Sequence, residues 1–449
     1  MAAWAVCFGL TTAASATYDI QDRFELINDR FSTDEMLNPP GHDFLLEINA
    51  AASPKLMKMV DDGKKVSKGE GDKKAKGLAF LNKYTDTEQS VKIGTQLGVP
   101  LPTLYFGKLK IVPDLRVHVW GLVHFDIAAR PITTDTVLSL VDESKIKNAL
   151  NDEALAEKVK SKLQDQAFLN YLITYASSDL HPDKSILAAF NDDGQLTTLK
   201  DTYGFTDSDI DAIKEKLAGS SEAQKWVLPT DNGTEPVLDA YTRLDVKGGL
   251  NLNYFYDKWF GNLNLYAFHR TDYLKRLTAG SFANGAKPLD DVKKLNSTIF
   301  ADVDFKLGRE FGRYSVYGAV EEIQVAEVVK RKKDTAAPHY KSDPLLRVHG
   351  EAKFKLGGLA FTPFVGAFKR SFYDVSDGVY AGADASAFIF GERIGVVARA
   401  MFDPGYFTLA GQVKFWLTEV DLTIKTPVKS KVDGQKVPNL YAANIRIAI

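Results

Sequence analysis

The sequence predicts an all-β transmembrane barrel, antiparallel, of about 12–14 strands, with an α-helical insertion and an N-terminal hatch-like segment. Three observations carry this expectation. Apolar and polar residues alternate through long runs of the second half, short and long connections alternate between those runs, and no segment after the N-terminus is apolar enough for a spanning helix. A barrel wall needs only alternate residues apolar, so a mean hydropathy of -0.18 is compatible with it.

The clearest run places Leu244, Val246, Gly248, Leu250, Leu252, Tyr254 and Tyr256 on one face. Arg243, Asp245, Lys247, Gly249, Asn251, Asn253 and Phe255 lie on the other. A period of two is the period of a strand, because successive side chains point to opposite sides. The pattern returns as Ile299–Leu307, Leu346–Leu356, Phe407–Leu417 and Tyr441–Ile449. Strands in soluble sheets usually run about five or six residues, whereas about ten tilted residues cross a bilayer core. Counting from Leu109–Ile127 through Tyr241–Tyr256 to the C-terminus gives about twelve strands, and Phe44–Ala50 and Val91–Tyr105 raise the total to about fourteen.

Turn chemistry pairs the runs. Asp257–Gly261, Gly308–Gly312, Gly357-Gly358 and Gly391-Glu392 are short and glycine-bearing, as hairpins require. Thr271–Leu295, Val328–Pro344, Arg370–Asp377 and Lys425–Pro438 are longer and polar. An up-and-down membrane barrel keeps this parity, with short turns at one end and long loops at the other. Asp403-Pro404-Gly405 is short where a long loop is due. Aromatics such as Tyr254, Trp259, Phe311, Tyr314, Tyr373 and Tyr406 gather near strand ends, where interfacial girdles belong.

Two regions stand outside the wall, and a leader precedes them. Residues 1–16 read as a signal peptide, since Ala2–Ala16 carries no charge and ends in Ala14-Ser15-Ala16. Cys7, the single cysteine, falls within it, so the mature chain is expected to hold no disulfide. Residues 17–90, with Lys64, Lys65, Lys68, Lys73, Lys74 and Lys76, are expected to form a hatch or periplasmic segment, its lysine stretch a solvated loop. Residues 91–132 supply the first barrel strands and 237–449 the main hairpins. Between them, 133–236 reads as a helical, acidic insertion, with nineteen Asp or Glu against ten Lys from Thr133 to Pro236. Within it, Thr206-Asp207-Ser208-Asp209 resembles a helix start. Asp207, Asp209 and Asp211 suggest a calcium loop, but Ala212 stands where that loop needs glycine, so capping is the better reading.

The alternating strands of 241–449 resemble the bacterial outer-membrane β-barrel class. Asn38-Pro39-Pro40-Gly41, followed by the strand-like Phe44–Ile48, is similar to a segment of long-chain fatty-acid transporters and of TraF-like conjugal-transfer barrels. That resemblance implies a hatch-plugged barrel passing small solutes, hydrophobic ones among them. It also implies residence in the outer membrane of a Gram-negative bacterium, in contact with its lipid and with the barrel-assembly machinery.

Function is expected from the wall facing away from lipid. Arg243, Lys247, Asp302, Asp304, Arg347, Glu351, Lys353, Lys414 and Arg446 all fall opposite the apolar stripe and are the candidate lumen-lining residues. His118, His124 and His349 fall there too. There is no Gly-x-Ser-x-Gly, phosphate loop or zinc helix, so no catalytic, cofactor or metal residue is assigned. A net charge of -2 gives no reason to expect nucleic acid. Three classes remain: a pore or transporter; a structural, secretion- or conjugation-associated barrel whose insertion docks a periplasmic or surface protein; and a soluble periplasmic β-rich binding protein.

Overall fold

The structure, a computed structural model, describes residues 25–27, 29–30, 43–68, 73–131, 146–147, 150–176, 188–218, 234–283, 296–329, 343–390, 393–432 and 435–449. The proposed signal peptide lies outside them. Fourteen strands form the wall. In chain order they are β1 (Leu45–Ala52), β2 (Thr87–Pro100), β3 (Leu109–Pro131), β4 (Thr234–Tyr256), β5 (Trp259–Leu277), β6 (Asn296–Phe311) and β7 (Tyr314–Val329). Then follow β8 (Leu345–Ala352), β9 (Leu359–Lys369), β10 (Val379–Ile389), β11 (Ile394–Phe402), β12 (Tyr406–Phe415), β13 (Thr418–Pro427) and β14 (Leu440–Ala448). Leu104–Phe106 and Phe354–Leu356 prolong β2 and β8 toward their turns, and a two-residue hairpin at Lys431–Val432 and Gln435–Lys436 decorates the β13–β14 connection.

Each wall strand pairs antiparallel with its neighbour in sequence, and β1 closes the cylinder against β14, with Ile48 opposite Ile445. The register carries one face around the whole wall. Leu250 lies opposite both Leu115 and Leu265, Leu265 opposite Val303, and Leu409 opposite Ala400 and Ile424. These side chains point outward, and many are exposed, among them Leu265, Val348, Val365, Leu409, Leu422 and Ile445. A continuous exposed apolar belt is unfavourable in water and favourable in lipid. It rules out the soluble reading. Among the described residues no helix is long and apolar enough to cross a membrane; this chain crosses with strands.

The short turns gather at one end. Gly107, Gly312 and Gly357 open their turns with positive φ, the conformation a tight hairpin asks of its first turn residue. The first residue of β1 pairs with both Gly98 and Ala448, so both ends of the wall sequence lie at this turn end. The opposite end carries the helices and longer connections, with 403–405 the short exception.

The wall is uneven in height. β3 and β4 each run 23 residues and β5 runs 19, while β9–β14 run 9–11. About ten residues cross the bilayer, so the tall strands continue roughly 30–40 Å further along their own direction. Their outward faces are covered there by helices rather than lipid. Helices α1 (Leu56–Lys68), α2 (Lys73–Tyr84) and the short Ala279–Ala283 pack Leu56, Met59, Leu81 and Phe282 against Phe125, Ile127, Leu238 and Leu277. Lys83 and Tyr84 donate to Asp62 at 2.6 and 2.8 Å, tying α2 to α1. The Lys83 bond, then that of Tyr84, holds the Asp62 carboxyl down to about 2.

The described part of the segment expected as a hatch over 17–90 is divided among three places. Residues 45–52 and 87–90 are wall, 56–68 and 73–84 are helices on the outside of it, and 25–27 and 29–30 lie within it. The lysine stretch is helical because apolar residues beside it, from Leu56 to Tyr84, have a tall strand face to cover.

The insertion is helical, as expected. It comprises α3 (Glu153–Leu163), α4 (Gln166–Ala176), α5 (Ala188–Asn191), α6 (Leu196–Asp201) and α7 (Asp207–Ala218). Its cluster of buried residues, including Leu150, Val159, Phe168, Leu172, Leu199 and Ile213, is drawn entirely from the insertion. The Thr206 hydroxyl accepts from the Asp209 backbone N–H, and the Thr206 N–H donates to the Asp209 carboxylate at 2.7 Å, a reciprocal helix cap. Burial pushes Asp209 up, but bonds from Lys158 and Thr206 outweigh it and hold its carboxyl at about 2. The cap thus contributes its full stability above the ordinary carboxylate value and loses it as pH falls from about 4 toward about 2. Thr206→Ala should cost about 1 kcal/mol in urea unfolding of the isolated insertion. Removing 136–233 with a short linker should leave a heat-modifiable barrel, read as a gel-mobility shift on boiling.

Candidate functional site

The barrel register turns the nine candidate residues inward. Arg243 and Lys247 lie on β4, Asp302 and Asp304 on β6, Arg347 and Glu351 on β8, Lys414 on β12 and Arg446 on β14, with Lys353 at the end of β8. They form separate groups around the wall. Lys247 reaches Asp302 at 2.6 Å and Asp304 at 3.9 Å, and its ammonium lies 5.0 Å from the Phe268 ring centre. Arg347 donates to Glu321 at 3.0 Å, and Glu351 sits 3.5 Å from His349. Lys414 and Arg446 share Glu419 at 3.1 and 3.8 Å. Lys353 has no ion-pair partner among the described residues. Charges out of bulk water are costly singly, and pairing with good geometry offsets that cost.

Aromatic residues fill the wall between the charges. His349 stacks on Tyr317, ring centres 5.0 Å apart, and its Nδ1 lies 2.9 Å from the Tyr380 hydroxyl. Tyr380 in turn lies over Gly366 on the neighbouring strand, where a Cβ would stand 2.3 Å from its hydroxyl oxygen. That close approach requires glycine.

A cavity of about 1470 Å³ occupies the lumen. Its lining runs from the turn residues Asp257, Lys258, Gly357 and Phe390 to Asp29 and Arg370 near the other end. Seven of the nine candidates line it; Arg243 and Asp302 do not.

Arg243 is used elsewhere. Residues 25–27 and 29–30 form a helical segment inside the barrel, and all five are buried. Glu25 accepts from Arg243, which also donates to Asp245, itself held by Arg270 at 2.9 and 3.1 Å. Asp29 takes a two-pronged contact from Arg370, 2.8 Å on each arm, and a third bond from the Tyr373 hydroxyl at 3.2 Å. Arg370 also donates to Glu322 at 3.2 Å. Arg30 lies 3.8 Å from Asp403 and 5.8 Å from the centre of the Tyr406 ring, and its carbonyl accepts from Lys425. Leu26 packs among Leu345, Phe364, Phe368 and Met401, and Ile27 beside Ala51 and Leu440. The partners of Asp29 and Arg30 lie at the loop ends of their strands, so this segment plugs the loop end of the lumen.

Sequence reasoning expected a hatch somewhere in 17–90 but did not find which residues enter the lumen or where they seat. Tyr373 and Tyr406 had been assigned to interfacial girdles, but both are buried against it. Their neighbours Arg370 and Asp403 were the available signal: charges flanking aromatics at strand ends mark an inward seat as readily as a lipid interface. Sequence also missed the approach of Ser90 Oγ to His124 Nδ1, 2.9 Å apart. Both side chains are inward and enclosed, with no exposed face for a substrate.

No protein-family model matches the chain, and no curated protein does. Among solved structures, the transport unit of the autotransporter AIDA-I from Escherichia coli is similar over 96% of this chain and 99% of its own, at 6% identity and a TM-score of 0.34. CdiB from Acinetobacter baumannii is similar over 91% of this chain, at 7% identity and a TM-score of 0.31, and the chain spans 60% of its length. A triple mutant of Rhodopseudomonas blastica porin is similar over 91% of this chain and 99% of its own, at 8% identity and a TM-score of 0.27. These likenesses are distant, and the assignment rests on the chain's own register, closure and apolar belt. A cylinder of fourteen antiparallel strands, apolar outside, charged inside and turned tightly at one end, has the architecture of a transmembrane β-barrel.

Proposed function

We propose that this barrel is a plugged pore for small solutes in the outer membrane of a Gram-negative bacterium. The observation that carries the reading is the seat of Glu25, Asp29 and Arg30 on inward charges at one end of a cavity that reaches the turns at the other. A charged wall holds water and favours polar or ionic solutes over hydrophobic ones. The proposal assigns no catalytic role.

The test is conductance in planar bilayers. The intact protein should conduct little, and a variant with its plug unseated should conduct steadily. In that open form Lys353→Glu, which reverses a cavity charge without an ion-pair partner, should shift selectivity toward cations. An unseated, correctly folded barrel that stays silent would instead favour a structural or secretion-associated barrel. One observation supports that second reading: the insertion's self-contained core makes it a separate module able to dock a protein partner.

A further inference from the structure

The outer rim at the turn end carries arginines that the pore does not use. Arg309 follows the outward parity of β6, and its guanidinium lies 5.0 Å from the ring centres of both Trp259 and Phe311. Arg313, in the next turn, lies 5.6 Å from Tyr314 and 5.3 Å from Phe354. Across the barrel, Arg393 lies 5.4 Å from Trp416. All of these side chains are exposed. Among the described residues none of the three arginines has a carboxylate partner.

A ring face attracts a guanidinium and holds its plane while leaving its N–H edge available. That edge matches two oxygens of a phosphate. The rings themselves continue the apolar outer belt, so the guanidiniums sit where acyl chains give way to headgroups. Trp416 strengthens the case. It occupies the first position of its turn with φ of 53°, a conformation costly for a bulky side chain; Gly107, Gly312 and Gly357 take that position in three other turns, and Asp257 and Phe390 take it in two. A tryptophan is kept there against the backbone's preference, and its ring carries Arg393.

We propose that Arg309, Arg313 and Arg393 form phosphate-binding sites for phospholipid headgroups of the leaflet at the turn end. The aromatic pairs set each guanidinium at headgroup depth, the apolar belt takes the acyl chains, and the phosphate supplies the missing anion. The sites are independent of whether the lumen conducts.

The test uses the full chain in a nonionic detergent, probed with short-chain phosphatidylglycerol and with a diacylglycerol of the same chain length that lacks phosphate. Native mass spectrometry counts the lipids retained. The phospholipid should be retained more tightly than the diacylglycerol. Substituting all three arginines by alanine should weaken phospholipid retention by about fivefold per arginine and leave diacylglycerol unchanged. Arg309→Lys, which keeps charge but loses the fork, should fall between. Equal retention of the two lipids by the unsubstituted protein would overturn the proposal, and that comparison holds even where the triple variant fails to fold. A folded triple variant that retains phospholipid as before would overturn it too.

Discussion

Arg370→Ala is expected to unseat the plug and turn a closed barrel into a conducting one. The guanidinium answers Asp29 with two bonds, Glu322 with a third, and lies 3.9 Å from Glu25. Its removal leaves the buried carboxylates of Glu25 and Asp29 and the half-buried one of Glu322 without their shared cation. Breaking one side of a buried pair typically costs about 3–5 kcal/mol. The wall itself is held by ladders that do not involve Arg370, so the cost should fall on the docked helix. Hydrogen exchange across residues 25–30 should rise steeply while the strand amides stay protected, and bilayer current should appear with it. Arg399→Ala is the matched control: Arg399 pairs with Asp384 at 2.7 and 2.8 Å on the cavity wall and, among the described residues, bonds to no plug residue. Equal protection of 25–30 in both variants would remove the plug from the account of closure.

The second large effect concerns the opposite face of the wall. Leu422 lies mid-strand on β13, outward and 61% exposed. In lipid, Leu422→Arg should cost about 2–4 kcal/mol and lower the yield of heat-modifiable barrel on folding into vesicles. Ser386→Arg places the same side chain on the inner wall, where Ser386 lines the cavity, and should be nearly neutral. Similar losses from both substitutions would contradict the inside–outside assignment. The choice of control matters. Asn251, also inward, is nearly fully buried and donates to Asp114 at 2.7 Å, so an arginine there would fail for reasons unrelated to lipid.

The wall was legible because its rule is local. Period-two alternation names a face without reference to any other strand, and Leu244–Tyr256 shows it as clearly in the sequence as in the structure. The helix cap at Thr206 was legible for the same reason, since its partners are three residues apart. The plug obeys no local rule. Glu25 and Arg243 are 218 positions apart and Asp29 and Arg370 are 341 apart, and a single helical turn has too little periodicity to be seen. The tall strands β3–β5 misled in a related way. Their upper outward residues look lipid-facing by alternation, but helices from elsewhere in the chain cover them. Alternation distinguishes inside from outside; it does not say what lies outside.

The meeting of β1 with β14 has a kinetic meaning. It joins the first wall strand to the last, so it is the contact of greatest sequence separation in the cylinder, and its strands are only 8 and 9 residues long. The β4–β5 hairpin, of 23 and 19 residues joined by a tight turn, closes a small loop and gains many ladder bonds early. Folding should therefore begin on the tall side and finish at this short seam. Until the C-terminal strand arrives, the lower edge of β1 remains an open template for any other strand. The completed seam, with eight paired residues, is no longer than the pairings on either side of it, so this short side of the cylinder is where it opens most readily.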